Sequence, residues 1–423
     1  MATVTASDLP VEVLDVARPE LWGGTTDFSI LLAHFARMRD AGPVHYCPES
    51  IWGPYWNIVS HQHIMEVEGQ ADIFSSDITN GGITIGQKNE ALFEQLDIQP
   101  EERLPSFISM DEPRHTEHRR VVSPLFSPTE VARQGESIRM RTEELLDSLP
   151  VGEKFNWVDK VSVPLTTAML AILWDFPWED RFLLPKWSDA GSDIEFVLDP
   201  ERRRERQQAL REMTDYFRRL FDQRRRKGVT HDLVSMLAHS EATNNLSPAE
   251  FTGTVALLIV GGNDTTRNTM SGAVMVQNLY PDNWARMMTE PKRIRNGVQE
   301  LLRWQSAVAH MRRTPVRDVE VGGKLIPKDS AVILWYPSGN RDESVFPNAE
   351  VFDPERNNAR RHVAFGFGIH RCVGYRLAEL QLNMLLEEMQ KRQMRVELVG
   401  DVERNSGCFI NGYTSLPVVL SRN

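Results

Sequence analysis

The chain holds three cysteines in 423 residues, Cys47, Cys372 and Cys408. So few exclude a disulfide framework and fit a reducing compartment. No run approaches the ~20 consecutive apolar residues of a membrane-spanning helix. Met1 to Pro10 is mildly polar and acidic, with neither the basic start nor the apolar centre of a secretion signal. We therefore expect a soluble, cytoplasmic protein without a membrane anchor. Basic charge is also short: 48 Lys and Arg face 59 Asp and Glu, for a net charge of −11. General nucleic-acid binding needs a basic footprint and is excluded as a class, although a local basic patch is not. No Pro/Gly/Ser-rich linker, low-complexity tract or internal repeat divides the chain, so residues 1–423 read as a single domain despite their length. Hydrophobic residues make up 41%, enough for a core that could enclose a bound group.

Against these absences one stretch stands out, Phe365-Gly366-Phe367-Gly368-Ile369-His370-Arg371-Cys372-Val373-Gly374. A lone cysteine is most often a small buried hydrophobe. This one sits between glycine-rich turns, directly before an amphipathic segment from about Tyr375 to Lys391. The glycines let the backbone turn tightly and approach a flat ligand. The turn can aim N–H groups at the sulfur, and the start of the next helix adds partial positive charge. Both would hold sulfur as the anion and tune its donation to a metal. We read Cys372 as a thiolate ligand of haem iron. The spacing F-G-x-G-x-H-x-C-x-G resembles the cysteine-ligand loop of the cytochrome P-450 family, with every named position filled. The resemblance implies a mainly α fold with small β-sheets. Haem b would lie between a long central helix and the Cys-ligand loop, with Phe365 and Gly366 against it.

The long helix has its own signals. Ser247-Pro248-Ala249-Glu250 joins a capping Ser, a Pro at the first helical position and a Glu three residues on. Pro281 stops the pattern after roughly 34 residues, or ~50 Å. Val255 to Val260 is apolar on every side and should be buried. Then comes Gly261-Gly262-Asn263-Asp264-Thr265-Thr266-Arg267. Two glycines cost ~1 kcal/mol each relative to Ala, and the polar groups need partners. One reading is a polar kink packed against neighbours. The other is an opening beside a flat cofactor, with a proton route through Asp264 and Thr265. The segment resembles the family's A/G-G-x-D/E-T pattern, which implies the second reading. Gly261 and Gly262 would then lie against haem, Thr265 would hydrogen-bond the bound oxygen and Asp264 would relay protons.

Other segments take meaning from the same resemblance. Pro113 opens a helix on which His115 and Arg119, four apart, share a face. Alone this is an ordinary solvated helix; the resemblance implies that the pair holds a haem propionate, with His118 projecting elsewhere. It assigns a second propionate contact to Arg313, with Arg312 as its rival, and a donor role to His370. Glu300 and Arg303 are a commonplace i, i+3 pair. About 70 residues before Cys372 they match the family's E-x-x-R, with Arg356 as third member, bracing the loop without chemistry. Phe28 to Arg39 reads as a helix, Val44–Tyr46 and Tyr55–Val59 as strands, and Ser60 as the cap of a helix to Gly69. Pro128–Leu149, Val161–Trp174, Arg181–Val197 and Glu201–Lys227 read as further helices. In the family the last two and their connection form a mobile lid. Ser75 to Ile85 reads as a flexible loop, on the surface by its residues alone and over the substrate by resemblance. Val308–Arg313 reads as a strand, and Val316–Leu334 as strands and turns around Gly322-Gly323.

The sequence thus resembles a soluble bacterial haem-thiolate monooxygenase. It would insert one atom of O2 into an apolar substrate, using electrons that come ultimately from NAD(P)H. Only about 50 residues follow Cys372, too few for a reductase, so a ferredoxin and a ferredoxin reductase are the expected partners. Arg114, Arg120, Arg360, Arg361, Arg371 and Arg376 are candidates for a basic docking patch. Ile83, Ile85, Leu257, Leu258, Val308, Phe409 and Ile410 are candidate lining for an apolar substrate. The runs Gly261–Asn268, Asp111–Arg120 and His370–Arg376 resemble the terminal-alkane and fatty-acid ω-hydroxylase branch. Rival readings are hydroxylation of a terpene, steroid or aromatic compound, a non-catalytic haem-binding sensor, and a haem-thiolate isomerase or dehydratase.

Overall fold

The computed structural model describes residue 11 and residues 14–87, 93–94 and 97–422. Met1–Pro10, read above for its polarity, lies outside the described residues. In chain order the helices that matter here are α1 (Phe28–Ala41), α2 (His61–Gly69), α3 (Arg114–Val122), α4 (Pro128–Ser148) and α5 (Val163–Trp174). They continue with α6 (Leu183–Ser192), α7 (Pro200–Arg225), α8 (Pro248–Leu279), α9 (Pro291–Gln305) and α10 (Tyr375–Lys391). Among the described residues no helix is long and apolar enough to cross a membrane.

The chain divides into two compact units. The first holds residues 1–89, 272–372 and 400–416. Its sheet runs β1 (Val44–Cys47), β2 (Tyr55–Ile58), β8 (Val332–Trp335), β5 (His310–Pro315) and β3 (Phe74–Ser75), in that order. β1 and β2 form a hairpin with Val44 opposite Ile58, and β2 pairs parallel with β8. Val44, Ile58, Ile64, Val67, Phe74, Val332 and Leu334 build one core on it. Ser60 accepts the His63 N–H and starts α2, as its sequence predicts. The hairpin β6 (Val319–Val321) and β7 (Lys324–Ile326) turns at Gly322 and Gly323, both at positive φ.

The second unit holds residues 90–271, 373–399 and 417–423. It is mostly helical, with a small sheet ordered β4 (Lys154–Asn156), β10 (Pro417–Arg422) and β9 (Met394–Leu398). Trp174, Phe176, Trp187, Tyr216 and Phe217 pack as one aromatic cluster with centroids 4.8–6.3 Å apart. It fastens α6 and α7 to the end of α5. The expected helix Arg181–Val197 is broken. It stops at Ser192, and Glu195–Val197 is a 3-10 turn. The cause is Asp193, whose carboxylate accepts the Glu195 N–H at 2.9 Å and competes with the helical backbone.

α8 begins as the sequence predicts. Ser247 Oγ accepts the Glu250 N–H at 3.3 Å, and Glu250 Oε2 accepts the Ser247 N–H at 3.2 Å. The helix has 32 residues, about 48 Å of rise. Residues up to Ser271 belong to the second unit, and its last two turns to the first.

Candidate active site

In the first unit, the loop Phe365–Cys372 closes on itself: the Cys372 N–H donates to the Phe365 carbonyl at 2.8 Å. Gly366 and Gly368 both have φ of +67°, where side chains are strained. A Cβ on Gly368 would overlap the Glu68 carbonyl oxygen, so glycine is what lets the end of α2 reach the loop. Gly368–His370 forms a 3-10 turn. Cys372 is exposed, as are Phe367 and Ile369, and no cysteine of the chain is in a disulfide. The loop therefore presents an apolar surface that carries one thiol.

The E-x-x-R pair braces this loop through carbonyls. Arg303 Nη2 and Nε meet Glu300 Oε1 and Oε2, both at 2.7 Å. Arg356 Nε joins at 3.0 Å, and the Asp353 N–H reaches Oε1 at 3.0 Å. Both Glu300 and Arg303 are fully buried. Arg303 Nη1 then donates to the carbonyls of Asn340 and Ala349 at 2.7 and 2.8 Å. Asn340 Oδ1 accepts the Val363 N–H at 2.8 Å, two residues before the loop. The expected triad is present and buried.

The two candidate propionate arginines are not equivalent. Arg313 Nη2 lies 3.2 Å from Glu68 Oε1, and Nη1 donates to the Arg312 carbonyl at 2.8 Å. Arg313, the residue read from the sequence, already has a carboxylate partner. Arg312 is as deeply buried, yet its Nε has no partner, and burial pushes its guanidinium down to about 10. Its head packs on Gly81, where any Cβ would collide with it. The orphaned buried donor is thus on Arg312, the rival.

Five of the proposed lining residues meet at the start of β5. The Arg312 N–H donates to the Ile83 carbonyl at 2.7 Å, and the Ala309 N–H to Phe409 at 2.9 Å. Val308 bridges Ile410. The Ile85 N–H donates to His310 Nε2 at 3.0 Å, while His310 Nδ1 donates to the Cys408 carbonyl at 2.7 Å. Ile83 and Ile85 are buried, so the surface-loop reading of this stretch fails. What overturns it is His310, which the sequence reading missed. Its ring must be neutral to accept from Ile85, and burial pushes it down to about 4. The folded value lies below the ordinary 6.5, so protons favour the unfolded chain. The stabilisation is present above that value, is lost as pH falls, and levels off below about 4. Between pH 7 and pH 5 the loss is about 2 kcal/mol. Urea unfolding at both pH values should show this extra loss in the unmodified protein and not in His310→Gln. Equal losses in the two proteins would refute it.

In the second unit, α8 opens one side of its polar segment. Leu257 and Thr265 are half-buried and Gly261 is exposed, at positions i, i+4 and i+8 on one face. A Cβ on Gly261 would meet nothing within 4 Å. Gly262 differs from its expected role. A Cβ there would lie 2.6 Å from Leu170 Cδ2, so it serves close packing on α5 and not a cofactor. Leu258 is likewise buried, in the core of this unit, which removes it from the open face.

Asp264 is fully buried. Its Oδ1 accepts from Ser188 Oγ at 2.8 Å, Asn263 Nδ2 at 3.1 Å and Arg267 Nη2 at 3.0 Å. Its Oδ2 has no partner. Arg267 also reaches the carboxylate of Asp189 at 2.9 Å. Thr265 Oγ1 donates to the Gly261 carbonyl at 3.0 Å. Asn263 is held by Thr166 at 2.7 Å. On α3, His115 is buried and its Nδ1 lies 3.3 Å from Glu112 Oε1; burial holds its ring below the ordinary imidazole range, against the pull of Glu112. Arg119 shares the face of His115 one turn on.

The cytochrome P450 family profile matches residues 182–392. Linalool 8-monooxygenase of Pseudomonas putida is 37% identical over 410 residues, which covers 96% of this chain and 98% of that protein. A steroid C26-monooxygenase of Rhodococcus jostii is 29% identical over 98% of this chain and 86% of its own length. Among solved structures, cytochrome P450-153 from Novosphingobium aromaticivorans aligns with a TM-score of 0.89 and 48% identity, covering 96% of this chain and 99% of that one. CYP153D17 from Sphingomonas sp. PAMC 26605 aligns with the same TM-score, coverage and 49% identity. The chain belongs to the cytochrome P450 family, and it is a monooxygenase. The family implies haem, and residues of the first unit fit it: an exposed thiol on an apolar loop and an orphaned buried guanidinium donor at Arg312.

Proposed function

We propose that this chain hydroxylates a terminal carbon of an apolar aliphatic substrate, an n-alkane or a fatty acid. The observation that carries the reading is the apolar cluster around β5, where Ile83, Ile85, Val308, Phe409 and Ile410 are brought together by backbone hydrogen bonds and by the buried His310. The names of two relatives point the same way, since carbon 8 of linalool and C26 of a steroid are both chain-end positions. Haem held by Cys372 would supply oxygen activation, inserting one atom into a C–H bond while the other leaves as water.

The chain's own residues do the rest. Cys372 would be the iron ligand. His115, Arg119 and Arg313 would hold the haem carboxylates, with Arg312 as the rival of Arg313, and His370, Phe365 and Gly366 would help to hold the haem. Glu300, Arg303 and Arg356 keep the ligand loop in place. Asp264 passes protons at its open Oδ2, and Thr265 holds them at Oγ1. The Arg267 guanidinium holds that carboxylate in place and ties it to Asp189.

Electrons come from NAD(P)H through a ferredoxin reductase and an acidic ferredoxin. Arg114, Arg120 and Arg376 are exposed in the second unit, and Arg360, Arg361 and Arg371 in the first. Arg114 is the weakest candidate because it pairs with Glu250. Reversing the other five charges should slow reduction by the ferredoxin and flatten its salt dependence. Unchanged reduction would sink this assignment.

The substrate class is tested by adding n-alkanes and fatty acids of graded length to the haem-loaded protein. A shift of the haem from low towards high spin, with products oxidised at the chain end, is the expected result. The terpene reading stands second, favoured by the 37% identity to linalool 8-monooxygenase. A shift with linalool and none with any linear chain would put it first.

A further inference from the structure

Glu68 lies near the end of α2, in a run that reads as an ordinary amphipathic helix. Its side chain is nevertheless 1% exposed. A buried carboxylate is costly unless paired and hydrogen-bonded. Three donors from three places converge on this one. Tyr336 Oη donates to Oε1 at 2.6 Å and Arg313 Nη2 to the same oxygen at 3.2 Å. The Phe367 N–H donates to Oε2 at 2.7 Å. The backbone of the same residue also meets the loop, because the Glu68 carbonyl is the group for which Gly368 must lack a Cβ. Gly69 faces the Phe367 ring, which a Cβ would meet at 3.7 Å.

We infer that Glu68 is a positioning residue: it fixes the Phe365–Cys372 loop through the Phe367 N–H and supplies the counter-charge that orients Arg313. The inference rests on Cys372 being the haem-iron ligand. Burial pushes the Glu68 carboxyl up, and Arg313, Tyr336 and the Phe367 N–H oppose that push. The carboxylate uses both oxygens as acceptors, one for the loop and one for the Arg313–Tyr336 side. A glutamine has a single acceptor oxygen and cannot serve both. Glu68→Gln must therefore release either the loop or the arginine, with almost no change of volume.

The test uses the haem-loaded protein with its substrate absent. Haem transfer to apomyoglobin should be roughly tenfold faster in Glu68→Gln, the scale of one lost charge-assisted hydrogen bond. The ferrous carbonyl spectrum should move partly from the thiolate form to the form that has lost thiolate. Tyr336→Phe removes one donor from Oε1 and leaves the Phe367 contact, so its transfer rate should change by about twofold or less. A Glu68→Gln protein that matches the parent in both readouts overturns the inference. If that variant does not accumulate, amide exchange in the unmodified holoenzyme decides. The Phe367 N–H should exchange far more slowly than that of Ile369, and equal rates would overturn the role. An unmodified protein with no thiolate-type carbonyl band would remove the reading of Cys372, and this inference with it.

Discussion

Glu300→Ala should leave too little folded protein to purify at growth temperature. It strips two arginines of their shared carboxylate, and Arg303 has no exposed surface through which water could replace it. Breaking a buried pair by removing one partner costs about 3–5 kcal/mol. Marginal domains hold only about 5–15 kcal/mol in all. The carbonyls of Asn340 and Ala349 keep their bonds to Arg303 only if that charge stays buried, so the segment leading to Val363 should loosen too. Thermal unfolding and haem content of whatever accumulates measure both effects. Glu300→Gln keeps one acceptor oxygen and should fall between. A Glu300→Ala protein with parental melting temperature and full haem would show that the network carries no stability.

The second large effect is on turnover. Asp264→Asn should lower the rate of product formation by about 10²-fold, the lower end of what proton transfer by a placed side chain contributes. The substitution keeps an acceptor for Ser188 and Arg267, so the fold and the affinity read from the spin-state titration should hold. What it removes is the capacity to carry a proton at the open Oδ2. The remaining activity should then show a larger solvent isotope effect, because proton delivery has become limiting. Equal loss of affinity and turnover would instead mark Asp264 as a packing residue.

Much of this could be read from residues alone because the signals are local. The Ser247–Glu250 cap, the glycines of the ligand loop and the i, i+3 spacing of Glu300 and Arg303 each state their geometry within a few positions. The break after Ser192 was less legible, since the competing Asp193 carboxylate looks like any polar helix residue until its backbone partner is known. Gly261 and Gly262 looked equivalent in the text, yet one faces open space and the other Leu170. Their difference lies in which neighbour each meets. Glu68 and His310 were invisible for the same reason. Their partners lie 245 to 299 and 98 to 225 positions away, and no spacing rule spans such distances.

His310 also limits how this enzyme could be retuned. Its two ring nitrogens join the backbone at Ile85 to the backbone at Cys408, beside Phe409. A change at Ile83 or Ile85 will shift the ring, and with it the turn that carries Phe409 and Ile410. Substitutions chosen one at a time along these two segments should not add up. Coupling energies of roughly 0.5–3 kcal/mol are usual for residues that share one network. A library built to alter substrate preference should therefore vary both segments together, with His310 left in place.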